Sequence, residues 1–375
     1  MLIGIDGNEA NVKNRVGVNQ YAFEILWGIA RKYKNWSKKH RVIVYLKNKP
    51  IKELPHPQKS FSYKVLSGGG MWIITKLTPH LLLSREKPDV FFSPHHYVPP
   101  ISVVPLVCTI HDLGYLKFSE QFRKYDFWQL KYWSAWSIYI SKHIISVSNS
   151  TRQDIVRHYP FASKKTTVVY HGYNKRRFNR LINSEDVRRI KKRYTIVNDY
   201  LLFLGTLKPS KNIEGLLSAF GLIKKDFPGI SLVIAGKKGW LYDSIYAKAA
   251  SLGLRDFIFT DFVPEDDKPA LIKGARAFVV PSFWEGFGMD VVSAMAVGTP
   301  VVASSAGALP EACGQAGVVV DAYSAESIAN GVKKVLSMEE RQYNNLIEEG
   351  FRQAAKFSWD EAVEATLEVI EKALE

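Results

Sequence analysis

The chain has 375 residues, 46% of them hydrophobic and 23% charged, with a formal net charge of +15. That composition excludes a disordered chain, the length suits two domains of ordinary size, and no run approaches the roughly 20 apolar residues that span a bilayer. Only Cys108 and Cys313 are present, far apart in sequence, which argues against a disulfide scaffold or a zinc site and suits a reducing cytoplasm.

In chain order, Met1-Leu2-Ile3-Gly4-Ile5-Asp6 predicts a first β-strand, with no basic-then-apolar signal segment. Arg15-Val16-Gly17-Val18-Asn19-Gln20-Tyr21 leads into an amphipathic helix, and a basic run from Arg31 to Arg41 follows. Further strands are predicted at Val42–Leu46, Val90–Ser93, Leu106–Ile110, His143–Ser148 and Thr167–Tyr170. His111 stands at the end of the Leu106–Ile110 strand, where open α/β sheets place their ligands, although a hydrogen-bonded structural histidine fits there too. Asp112 beside it reads as a cap for the next helix, and Val147–Asp154 as another capped helix start. Tyr125, Trp128, Tyr132, Trp136 and Tyr139 recur at helical spacing with Lys124 and Lys131 nearby. This stripe is expected to be the buried face of a helix, with a lipid or sugar-stacking surface as the alternative.

The polar, basic stretch His171–Arg180 reads as the start of a linker, and Glu185–Tyr194 as a charged helix heading a second series. Its strands are predicted at Tyr200–Leu204, Ser231–Ala235, Ile258–Phe259, Ala277–Val280, Pro300–Ala303 and Gly317–Val320. Apolar runs alternating with longer amphipathic ones predict an α/β fold of two doubly wound domains. A last helix near Trp359–Leu374 carries Ala362, Val363, Thr366, Leu367, Ile370 and Leu374 at helical spacing. Charge is uneven between the halves: residues 1–180 hold 29 Lys and Arg against 10 Asp and Glu, residues 181–375 hold 22 against 26. The basic half is expected to face a polyanion or an anionic membrane surface, the alternative being a solvated, solubilising face. No helix-turn-helix, aromatic ribonucleoprotein motif or zinc pattern supports nucleic-acid binding, and none is expected.

The most informative segment is Pro281-Ser282-Phe283-Trp284-Glu285-Gly286-Phe287-Gly288-Met289-Asp290, between a strand and a helix that starts near Met289. Gly286 and Gly288 let the backbone approach a ligand closely, and the helix turns its first free N–H groups toward the loop as an anion site. Glu285 beside it can accept hydrogen bonds from sugar hydroxyls. The loop therefore reads as a cradle for a sugar joined to a phosphate, although strand–glycine–helix turns are common in α/β proteins.

This segment resembles the donor-binding signature of the retaining GT-B glycosyltransferases of family 4 (group 1). Its usual form is Glu-Gly-Phe-Gly with a second Glu after seven intervening residues; here those are Gly286–Val292, and Ser293 stands in the second acid's place. Other segments that resemble the family are Arg15–Tyr21, Val107–Leu113, Val147–Asp154, Phe203–Asn212, Leu232–Trp240 and Asp261–Pro264, so the likeness covers nearly the whole chain. In the Phe203–Asn212 segment the family usually supplies an Arg and a Lys. This chain keeps Lys211 but has Thr206 and Ser210, with Lys208 as the nearby replacement. The resemblance implies two Rossmann-like domains facing across a cleft: residues 1–180 on the acceptor side, 181–356 binding the nucleotide sugar, and 357–375 as a terminal helix returning to the first domain.

The resemblance also implies site residues. Glu285 and His111 are the catalytic candidates; Gly17, Lys208, Lys211, Gly288 and Met289 would bind the donor diphosphate. Glu285, Gly286 and Phe287 would hold the sugar, and Thr206, Val263, Ser293 and Asp290 the nucleotide. The implied reaction is metal-independent hexosyl transfer with retention, the departing phosphate assisting deprotonation of the acceptor on the same face. The implied donor is GDP-mannose or a UDP-sugar, with no further cofactor, and the implied acceptor a saccharide or lipid-linked sugar. The implied location is cytoplasmic, peripheral on the inner face of the membrane. The altered residues 206, 210 and 293 raise a second reading, a non-catalytic GT-B protein that binds a sugar nucleotide or glycan; a sugar-nucleotide epimerase is a third.

Overall fold

The computed structural model describes residues 1–36, 40–253 and 256–375, with only the backbone of 33–36. The part of the basic Arg31–Arg41 run that falls on 33–39 therefore lies outside the described side chains. The chain divides into two units, Met1–Gly172 with Ser358–Glu375, and Tyr173–Phe357.

Strands of a parallel sheet covered on both faces read as unbroken apolar runs, and most of the strands here do so. In the first unit they are β1 (Leu2–Asp6), β2 (Arg41–Leu46), β3 (Phe61–Val65), β4 (Val90–Ser93), β5 (Leu106–Ile110), β6 (His143–Ser146) and β7 (Thr166–Val168). All pair in parallel, in the order β3-β2-β1-β4-β5-β6-β7. The α-helices between them are α1 (Val18–Trp36), α2 (Thr78–Leu83), α3 (Gly114–Lys117), α4 (Lys124–Ile140) and α5 (Asn149–His158). Strand β3 does not belong to the predicted set. It lies at the sheet edge with only Phe61 buried, so it lacks the continuous apolar signature of a central strand.

The second unit begins with α6 (Ser184–Arg193) and builds a sheet from β8 (Tyr200–Leu204), β9 (Ser231–Ala235), β10 (Phe257–Phe259), β11 (Ala277–Val280), β12 (Val301–Ser304) and β13 (Gly317–Val320). The order is β10-β9-β8-β11-β12-β13, again all parallel. Its helices continue with α7 (Ile213–Ile223), α8 (Asp243–Ser251), α9 (Lys268–Lys273), α10 (Met289–Val297), α11 (Leu309–Cys313), α12 (Ala325–Leu336) and α13 (Glu340–Ala354). Fully buried Phe203, Phe220 and Leu217 tie α7 to the sheet, each contributing about 1.5–3 kcal/mol by burial. In both sheets strand order reverses once, between β1 and β4 and between β8 and β11. Such a reversal opens a crevice at the carboxyl ends of the strands, where ligands of doubly wound sheets bind.

The last helix, α14 (Trp359–Lys372), belongs to the first unit and packs on α1 and β6. Val363 fills the space beside Gly28, where a Cβ would come within 2.2 Å of its methyl carbon, and Lys32 pairs with Glu364.

The aromatic stripe on α4 overturns the expectation of a buried face: Tyr125, Trp128, Tyr132, Trp136 and Tyr139 are all exposed. The face turned to the protein is instead Ser134, Ser137 and Ile138, small residues that let the helix lie close, with Ser137 Oγ accepting from the Val98 N–H at 3.2 Å. Helical spacing shows that the rings share a face; it does not say what medium that face meets.

Candidate functional site

In the second unit the two strands flanking the reversal, β8 and β11, are neighbours, so the loops that leave them emerge side by side. The loop after β8 makes a short turn, Pro209–Lys211, that ends on Asn212 in the left-handed region at φ 53°. Asparagine tolerates that conformation because its amide bonds locally. Here Asn212 Oδ1 caps α7 by accepting from the Gly215 N–H, while Nδ2 donates to the carbonyls of Pro281, at 3.0 Å, and Ala322, at 2.6 Å. The Phe283 N–H donates to the Ser210 carbonyl at 2.9 Å. The two loops are thereby laced together, and Lys211 meets Glu285 in an ion pair.

Glu285 is the centre of this arrangement, with 16% of its side chain exposed and Ser282 Oγ donating to the same Oε1 at 2.7 Å. Burial pushes its carboxyl up, but the Lys211 charge, the Lys211 and Ser282 hydrogen bonds and the charge of Lys208 outweigh that and hold it below its ordinary value. It is an ionised carboxylate in a poorly solvated place. Its backbone is fixed by the next loop: the Ala308 N–H donates to the Glu285 carbonyl, and a Cβ on Gly307, at φ +58°, would lie 2.3 Å from that oxygen. Gly288, at φ +97°, forms the N-cap of α10 and directs the first turn of that helix toward the loop.

Of the remaining predicted residues of this unit, Lys208 and Asp290 interact electrostatically with Glu285. Asp290 sits in the first turn of α10; burial raises its carboxyl, opposed by Lys268 and Lys211, with Glu265 and Glu285 adding to the rise. Lys208 holds its ammonium 4.9 Å from the centre of the Trp240 ring. Ser293 is buried one turn into α10, Val263 is buried beyond β10, and Thr206 follows β8 with its methyl beside Gly239. The Phe287 ring is buried edge-on to Phe357.

In the first unit, Gly17 takes φ +50° just before α1, in open space, and the Tyr21 N–H bonds its carbonyl at 3.0 Å. His111 is buried at the end of β5. Its Nε2 lies 2.9 Å from the Pro94 carbonyl, which can only accept, so Nε2 carries the proton and Nδ1 presents a lone pair. Burial first, then the neighbouring His96 and His171, keep it well below the ordinary imidazole value and therefore neutral.

Three histidines escaped the sequence reading. His95 and His96 follow β4, and His171 stacks on Trp359 at 5.6 Å; both His96 and His171 lie beside His111, at 5.7 and 5.8 Å between ring centres. His95 is fixed by its neighbours: Nδ1 accepts from the Tyr97 N–H, so Nε2–H points to Asp6 Oδ2 at 3.1 Å. The signal that could have found His95 and His96 is Pro94-His95-His96-Tyr97 at the carboxyl end of a strand flanking the reversal. Ser282 was missed as well, its hydroxyl being an ordinary loop residue until Glu285 is seen against it.

Chemically, a buried anionic acceptor, two ammonium groups and a helix N-terminus converge at the carboxyl ends of β8 and β11, a setting that can bind hydroxyls and an anion together. Among the described residues no group of three or more His, Cys, Asp or Glu is placed to hold a metal ion, and no helix is long and apolar enough to cross a membrane.

Comparison with known proteins covers both units. Residues 17–177 match the family model for Glycosyltransferase Family 4, and residues 186–353 that for Glycosyl transferases group 1. The chain is 28% identical over 293 residues to the O-antigen chain mannosyltransferase B of Escherichia coli, covering 76% of this chain and 74% of that protein. It is 25% identical to the serotype-specific mannosyltransferase WbdA of Escherichia coli, over 84% of this chain but only 40% of that longer protein. Among solved structures, sucrose-phosphate synthase from Thermosynechococcus elongatus superposes with a TM-score of 0.76 at 17% identity, over 99% of this chain and 98% of that one.

Proposed function

Because the chain belongs to the GT-B glycosyltransferases of the family 4, group 1 type, we propose that it transfers a hexose, mannose by preference, from a nucleoside-diphosphate sugar to a saccharide or lipid-linked acceptor, with retention at the anomeric carbon and without a metal ion. The observation that carries this reading is the Lys211–Glu285–Ser282 set where the strand order reverses. The mannose preference is supported by the two mannosyltransferase relatives.

In this reading Glu285 accepts hydrogen bonds from the sugar hydroxyls and lends its charge to the cationic anomeric centre as the glycosidic bond to phosphate breaks. A carboxylate already ionised and desolvated needs no reorganisation to do so. Negative charge collects on the leaving diphosphate, where Lys211, Lys208 and the Gly288–Met289 N–H groups receive it. Gly286 and Phe287 hold the sugar through their backbone. His111, neutral with its Nδ1 lone pair free of the Pro94 bond, accepts from a sugar hydroxyl. Thr206, Val263, Asp290 and Ser293 bound the nucleotide. Two buried thiols, Cys108 and Cys313, fit a reducing cytoplasm.

A thermal-shift panel of nucleotide sugars followed by product analysis tests the reading. GDP-mannose is expected to stabilise the chain most, the product to keep the donor's anomeric configuration, and turnover to survive chelation. Glu285→Gln should lower kcat by roughly 100- to 1000-fold, the range for removing one transition-state electrostatic group. An inverted product, or activity lost to chelator and restored by a divalent ion, would overturn the mechanism.

A further inference from the structure

We propose that the outer face of α4 docks the protein on an anionic lipid bilayer. Five aromatic side chains on that face are between 45 and 70% exposed, and Phe161, Ile101 and Val103 on neighbouring loops are more than half exposed. Contiguous exposed apolar surface of this kind marks an interaction site rather than an ordinary solvent face. The side chains are tryptophan and tyrosine rather than leucine, the types that settle at the level of lipid headgroups, with an apolar ring inward and a polar edge in water.

The rings are held in place. Trp128 and Tyr132 stack at 5.1 Å, Trp136 Nε1 donates to the Pro100 carbonyl at 2.9 Å, and Tyr139 packs edge-on to Phe161. Lysine lies among them: the Lys131 ammonium is 5.3 Å from the Trp128 ring centre and 5.8 Å from that of Tyr132, and Lys165 is 5.4 Å from Phe161. From Lys117 to Lys165 the sequence carries nine Lys and Arg against three Asp and Glu. Cations interleaved with interfacial aromatics complement an anionic lipid surface. A second copy docked through the same face would set these cations against each other. The inference does not depend on the transfer chemistry, because binding is read without donor or acceptor.

The test is sedimentation of the full chain with vesicles of phosphatidylcholine alone or mixed with phosphatidylglycerol. Binding is expected to the mixed vesicles, to weaken as salt is raised, and to be slight on phosphatidylcholine. Trp128→Ser with Tyr132→Ser should weaken it by on the order of tenfold, and Lys124→Gln with Lys131→Gln by on the order of thirtyfold. The wild-type chain supplies a reading independent of variant folding: brominated phosphatidylglycerol should quench its tryptophan fluorescence at shallow depth. Unchanged binding by a folded aromatic variant, equal salt-insensitive binding to both lipids, or release from vesicles by a soluble oligosaccharide would overturn the proposal. So would concentration-dependent dimerisation through α4 in place of vesicle binding.

Discussion

Replacing Lys211 by Met removes the cation from Glu285 and keeps most of the aliphatic volume. In the intact chain the Glu285 carboxyl is held below its ordinary value. The pair therefore adds stability above the unfolded carboxyl pKa of about 4.3, and that stability is lost as pH falls through the folded value. Without Lys211, burial is opposed only by Ser282 and the more remote cations, and the carboxyl rises. The variant is then weakest at neutral pH and recovers as acid protonates Glu285. Breaking a fully buried pair costs about 3–5 kcal/mol. With side chains 19% and 16% exposed and the Ser282 bond retained, about 2–3 kcal/mol is expected. That is on the order of 5–10 °C in the unfolding of a unit this size. Thermal unfolding of the wild type, Lys211→Met, Glu285→Gln and the double variant, at about pH 7 and about pH 5, closes a double-mutant cycle. The double variant should regain most of the loss at neutral pH. A loss equal at both pH values, or no recovery in the double variant, would refute the electrostatic account.

Gly307→Ala puts a Cβ 2.3 Å from the Glu285 carbonyl at a left-handed φ; a loss of about 1–3 kcal/mol is expected, with donor binding impaired in calorimetry while Ala308→Gly is milder. Burial lowers His96 to about 4 and His171 to about 3, and His111 is lowered too. Their stability is full above about pH 6.5 and falls as pH drops, by about 2 kcal/mol per group near pH 5. The raised His95 opposes part of this. Urea unfolding at the two pH values measures the difference, and His171→Phe should shrink it. Ser293→Glu should tighten donor binding by roughly 1–2 kcal/mol if a charged acceptor serves the nucleotide; unchanged or weaker binding in calorimetric titration counts against that.

Both sheets were legible because buried parallel strands announce themselves as apolar runs; strand β3, polar on its exposed side, did not. Glu285, Lys211 and the glycines of the loop could be picked out because each residue type is informative where it stands. The lacing of the two loops could not, since Asn212 reaches Pro281 and Ala322 across 69 and 110 residues of sequence and no local pattern records that. The histidine cluster was half visible: each member lies near a strand end, but the depressed basicity of His96, His111 and His171 arises only from their packing out of water. On α4 the period was right and the partner medium wrong, because spacing is blind to whether Ser134 and Ser137 or the large rings face inward.

The first unit is discontinuous, its last helix separated from the rest by all of Tyr173–Phe357. During synthesis, Met1–Gly172 leaves the ribosome long before α14, and α1 must wait with the surface around Gly28 uncovered. The second unit is completed first, although it lies later in the chain. The first closes only when Val363 and Trp359 arrive. Removing α14 should thus act as a folding defect of the sequence made earliest, leaving a sticky intermediate rather than a trimmed domain.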